Sequence, residues 1–215
     1  AGTMSVRDLE AQLADGKLTA TGSAEIAGGA TRAALDLAAA DLSVLRPDLK
    51  GKMNAKLAYD TAALQPIAID ASGSDIVSGP LTYKTVALKG AIDATGTGQF
   101  TLKGDGTAPI DVTADIANAF GDGLNAKIAG VIAAATVEAS AAQKGSAYSV
   151  AADIKTTRLD LLGALAGADL AGGLTAKLSG EIGGSAPVID LTASLKDGRS
   201  GVTALGDADV TAKGP

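Results

Sequence analysis

Apolar and polar residues alternate with a period of two along nearly the whole chain, the signature of half-buried β-strands. In Leu9-Glu10-Ala11-Gln12-Leu13 the apolar side chains fall on one face, and Asp15-Gly16 then supplies a hairpin turn. The return segment Leu18–Ile26 keeps the alternation up to Gly28-Gly29. The pattern recurs as Leu35/Leu37, Met53/Ala55/Leu57/Tyr59, Ile67/Ile69/Ala71, Val86/Leu88/Ile92 and Phe100/Leu102. It continues through Ile110/Val112/Ala114/Ile116, Leu124/Ala126/Ile128, Val137/Ala139/Ala141 and Tyr148/Val150/Ala152/Ile154. Leu174/Ala176/Leu178/Ile182, Ile189/Leu191/Ala193/Leu195 and Val202/Ala204 close the series. About a dozen strands follow, each with one dry and one wet face, as antiparallel sheets require.

Three segments break this rhythm and predict a turn or two of helix: Asp41–Leu45, Asp115–Phe120 and Leu159–Ala166. Asp41 and Asp115 are placed to act as N-caps, and a Pro or Gly stops each segment. A related strand follows each one: Lys52–Leu57, Gly123–Ile128 and Gly173–Leu178. These define weak repeat units near 41–73, 115–141 and 158–195, with Pro66, Pro109 and Pro187 each opening a further strand, where proline removes no ladder bond. The copies are irregularly spaced, which disfavours a solenoid of fixed period. Residues 1–215 therefore read as a single elongated, repeat-built β region. The opening Ala-Gly-Thr-Met and the closing Ala212-Lys213-Gly214-Pro215 look like cuts through a longer array, so the chain is expected to be a fragment.

Composition changes what the dry face means. Of 215 residues only two are Phe and three Tyr, with no Trp, while Gly alone accounts for 28. The ordinary fate of alternating strands is a sandwich whose dry faces cover each other, but such a core needs bulky side chains to fill about 10 Å. Ala and Gly occupy many of those positions here, so the sheets pack unusually close or the space holds something other than protein. A transmembrane barrel needs aromatic girdles that this chain lacks. No His or Cys is present, which removes the commonest general base, the commonest metal ligands and thiol nucleophiles. The net charge of −6 and the lack of a basic patch argue against nucleic-acid binding. No apolar run approaches the ~20 residues that span a bilayer as helix.

Glycine-rich stretches carry no phosphate signature, because Gly96-Thr97-Gly98-Gln99-Phe100 leads into a strand rather than a helix. Gly104-Asp105-Gly106 and Gly121-Asp122-Gly123 have turn chemistry with isolated acids, too few oxygens for calcium. Lys52, Lys56, Lys127 and Lys177 fall on the wet face. No catalytic residue, cofactor or metal site is expected.

The segment Asp41–Leu57 (DLSVLRPDLKGKMNAKL) and its echo, Leu159–Leu162 with Asp169–Gly180, resemble the recurring unit of TamB-type proteins. These are the inner-membrane-anchored subunits of the translocation and assembly module, related to AsmA-like proteins. The resemblance implies a long antiparallel sheet curled into a trough, a β-taco with an apolar concave interior. It implies a periplasmic location, passage of phospholipid between the inner and outer membranes, and partnership with a TamA-like outer-membrane barrel. An apolar groove lowers the cost of carrying acyl chains through water by about 0.8 kcal/mol per methylene. The expected groove-lining residues are Leu57, Ile69, Leu88, Leu102, Val112, Ile128, Val137, Val150, Leu178 and Leu191. Two other readings stay open: a scaffold holding β-strands of outer-membrane protein clients, and an adhesin-like β-solenoid with a filled core.

Overall fold

The computed structural model describes residues 3–13, 15–183 and 187–214; Ala1, Gly2 and Pro215, part of the opening and closing motifs above, lie outside them. The chain forms two compact units, residues 1–106 and 107–215. The first contains β1 (Met4–Leu13), β2 (Leu18–Ala27), β3 (Ala30–Ala39), β4 (Leu49–Asp60), β5 (Ile67–Ser78), β6 (Leu81–Ile92) and β7 (Gly98–Gly106), with a 3₁₀ turn over Leu42–Val44. The second contains β8 (Ile110–Ala117), β9 (Asn125–Ile132), β10 (Ala135–Lys144), β11 (Ala147–Thr156), a helix α1 (Leu159–Ala166), β12 (Leu170–Ile182), β13 (Val188–Ser200) and β14 (Thr203–Gly214). Within each unit every strand pairs antiparallel with its neighbours in sequence. The chain is thus all-β, each unit an open, curled meander, with fourteen strands among the described residues where about a dozen were expected.

Local chemistry explains the turns. Asp15 and Gly16 take φ of 56° and 80°, and Gly28 and Gly29 take 60° and 83°, the paired positive values that two-residue hairpins need. Pro66, Pro109 and Pro187 each stand just before a strand. Their carbonyls remain useful: Asp60 N–H donates to Pro66 O at 2.8 Å and Ala133 N–H to Pro109 O at 2.8 Å. Asp41 caps the 3₁₀ turn by accepting from Ser43 N–H at 3.0 Å. Helix α1 ends at Gly167, left-handed with φ 69°, as a glycine C-cap does.

Three expectations fail. Asp115–Phe120 is not helical: Asp115 lies in β8 opposite Lys127, the strand runs to Ala117, and Asn118 turns the chain with φ 56°. Cross-strand pairing outweighs the weak local helix signal there. Gly104-Asp105-Gly106 is not a turn but part of β7, paired with Val86, Thr85 and Tyr83. Gly106 answers a steric need, since a Cβ there would run into Thr82 O and the Tyr83 ring. Val202 forms no strand; it sits fully exposed in the turn before β14.

The first and third repeat copies share a geometry that the second lacks. β4 and β5 shift register around Gly51 (φ 115°), opposite Asp75 (φ 53°). β12 and β13 do the same around Gly172 (φ 116°), opposite Asp197 (φ 50°). A Cβ on Gly51 would approach the Ser74 and Asp75 carbonyl oxygens to 2.8 Å. Each bulge also seats an aliphatic side chain over a glycine, Ile76 over Gly73 and Leu195 over Gly198. Extra residues of this kind bend a strand and raise its twist.

Candidate functional site

The pairing registers sort the side chains into rows that cross the strands. In the first unit Leu9, Gly22, Leu35, Leu57, Ile69, Gly90 and Phe100 stand directly opposite one another from β1 to β7. Two residues along lies Ala11, Ala20, Leu37, Ala55, Ala71, Leu88 and Leu102. Rows through Met53 and through Tyr59 flank these two, and no row of the four contains Asp, Glu, Lys or Arg. In the second unit Ala114, Ile128, Ala139, Ala152, Leu178, Leu191 and Ala212 align from β8 to β14. The neighbouring row is Val112, Gly130, Val137, Ile154, Ala176, Ala193 and Val210. Ile116, Ala126, Ala141, Val150, Gly180 and Ile189 form the next.

All ten residues singled out in the sequence therefore lie on the apolar face of their own unit: four in the first, six in the second. None is buried; Leu57 and Ile128 are exposed and the other eight half-buried. Leu35, Phe100 and Ile154 occupy the same faces and carried the same alternation signal, although the sequence reading did not select them. Among the described residues no large side chain is fully buried. The buried apolar residues are instead few and mostly small or near strand ends, such as Ala39, Leu42, Ala133, Ala135 and Leu159. Two of them, Leu42 and Leu159, belong to the 3₁₀ turn and to α1.

The opposite face is charged and ordered. The row offset by one residue reads Glu10, Thr21, Asp36, Lys56, Asp70, Lys89, Thr101. Lys56 pairs with Asp36 at 3.4 Å and Lys89 with Asp70 at 3.2 Å. In the second unit Lys177 pairs with Asp153 at 3.1 Å and Lys213 with Asp190 at 3.7 Å. Lys52, Lys56, Lys127 and Lys177 all stand on this face, as expected. The surface depressions lie here too. One of about 560 Å³ is lined by Lys127, Glu138, Asp153 and Lys177, and one of about 520 Å³ by Glu25, Arg32 and Asp60. Both are shallow gaps between long side chains and neighbouring alanines. Among the described residues no three acids gather in a group able to hold a metal.

Three of the perturbed carboxylates sit in turns or at the end of a strand. The Thr95 hydroxyl and the Thr97 N–H hold Asp93 below the ordinary carboxylate range. Ser43, through its hydroxyl and N–H, does the same for Asp41 with help from Lys17. The Ala62 N–H, followed by Arg32, lowers Asp60. All three are held by local hydrogen bonds at turns or at the end of a strand. Burial raises the Tyr83 phenol, which lies against Gly106.

No helix among the described residues is long and apolar enough to cross a membrane. Searches against family models, curated proteins and solved structures give no match.

Proposed function

We propose that this chain is part of a periplasmic, bridge-like scaffold of the TamB/AsmA kind, whose apolar face carries phospholipid acyl chains between the inner and outer membranes. The observation that carries the reading is the run of ion-free apolar rows, half-exposed, with no filled core beneath them. Acyl chains lying there leave water without meeting an unpaired charge, and each sequestered methylene contributes about 0.8 kcal/mol. Small Ala and Gly positions between Leu and Ile leave room for them. Headgroups need no dedicated pocket, because they stay in water at the margin of the face. A filled-core solenoid fits less well, since large side chains in such a core are enclosed. The likeness of Asp41–Leu57 to the TamB-type unit adds the membranes and the outer-membrane barrel partner to the reading.

Lipid extraction and mass spectrometry of the gently purified chain test this. Phospholipid should co-purify with the unmodified protein and be lost from folded Leu57→Asp and Leu178→Arg variants. Equal lipid in those variants, or none in any preparation, would remove the acyl-chain assignment.

A further inference from the structure

We propose that, in the absence of lipid, the β1–β4 part of the first unit's apolar face closes against the same part of a second copy of this chain. The inference shares this face with the lipid reading but does not depend on lipid transport. The exposed large apolar side chains of the first unit's strands all fall on β1–β4, among them Met4 at 65%, Leu9 and Leu13 at 62%, Leu57 at 46% and Leu35 at 37%. At a strand spacing of ~4.8 Å and a rise of ~3.4 Å, four ten-residue strands present roughly 650 Å². Two such faces give roughly 1,300 Å², inside the range of about 1,200–2,000 Å² that stable complexes bury. The rows through Leu35, Leu37, Ala39 and Ala33 hold no Asp, Glu, Lys or Arg, so stacking them buries no unpaired charge. The face also alternates in size. Gly22 sits beside Leu35, and Ala20 and Ala55 flank Leu37, so aliphatic groups of one copy have small positions of the other to enter. A two-fold axis brings one patch onto itself, which is how symmetric dimers form. Acyl chains and the second copy then compete for one surface.

Sedimentation equilibrium of the lipid-free 215-residue chain tests this. A dimer is expected. Leu35→Glu and Leu9→Glu should each weaken it tenfold or more while the circular dichroism stays that of a sheet. Val202→Glu, in the fully exposed turn before β14, should leave it unchanged. Saturating short-chain phosphatidylcholine micelles should convert the dimer to a lipid-bound monomer. A lipid-free chain that is monomeric throughout, a dimer indifferent to both β1–β4 substitutions, or a dimer that keeps its stoichiometry with lipid bound would each overturn the proposal. Leu9→Glu, on the outermost strand, serves if Leu35→Glu does not fold. Lipid-bound monomer without any lipid-free dimer would defeat this inference alone. A dimer that never takes up lipid would defeat the acyl-chain reading alone.

Discussion

In the row Leu9–Gly22–Leu35–Leu57–Ile69–Gly90–Phe100, neighbours fit by size; one residue away, in Glu10–Thr21–Asp36–Lys56–Asp70–Lys89–Thr101, they fit by charge. On the apolar side a bulky group leans over a glycine, as the Phe100 ring does over Gly90. On the polar side Asp and Lys alternate across β3–β6 and pair at 3.2–3.4 Å. The two devices act on the same backbone and do different work. Charge alternation opposes a slip by two residues, which would leave the faces correct but misalign the ladder. Size complementarity keeps the apolar face continuous without filling it. One sheet thereby keeps a specified register and a continuous apolar surface.

The largest effect on stability is expected on the size side. A Cβ on Gly90 would run into Phe100 ring atoms, so Gly90→Val should cost about 1–3 kcal/mol in urea unfolding, as overpacking does. Most of that loss should vanish in a Phe100→Ala background, which a double-mutant cycle measures. Equal losses in both backgrounds would mean that the ring does not set the fit. A smaller effect is expected on the charge side. Lys56→Asp sets three carboxylates in line across β3–β5 and should cost about 1 kcal/mol or less. The loss should fade in about 1 M salt, where screening acts within about 3 Å. A salt-independent loss would point instead to a packing role for the lysine stem.

The smallest effect lies in the turns and at the end of β4. Asp41, Asp60 and Asp93 are held below their ordinary value of 3.8 by local hydrogen bonds. Their contribution is therefore fully present above that value and is lost as pH falls through the depressed ones. Thermal melts should show the midpoint dropping below about pH 4. Asp93→Asn should flatten part of that slope without changing the midpoint's response to salt at neutral pH. A slope unchanged in this variant would remove the Asp93 turn as a source of acid sensitivity.

The alternation made both faces legible in advance, because a period of two fixes the side on which each residue falls. Leu57 and Lys56, or Leu178 and Lys177, needed nothing more. The Asp41 cap and the Leu159–Ala166 helix were equally readable, since their signals are local. What escaped the sequence depends on partners distant along the chain. Gly104 and Gly106 look like turn residues until Val86 and Tyr83 stand opposite them. Asp115 looks like a cap until it meets Lys127. The bulges at Gly51/Asp75 and Gly172/Asp197 show only as a register shift between two strands. The β9–β10 turn, at Ala133 and Ala134 with φ of 50° and 63°, carries no glycine or asparagine to announce it.

Because the chain contains no cysteine, a single fluorescent label can be placed on either face at adjacent positions. Lys56→Cys and Leu57→Cys, Lys127→Cys and Ile128→Cys, and Lys177→Cys and Leu178→Cys form three such pairs. With phospholipid carrying brominated acyl chains bound to the chain, labels at 57, 128 and 178 should be quenched and those at 56, 127 and 177 spared. Equal quenching within each pair, or none at the apolar positions, would contradict the claim that the apolar face is where acyl chains lie.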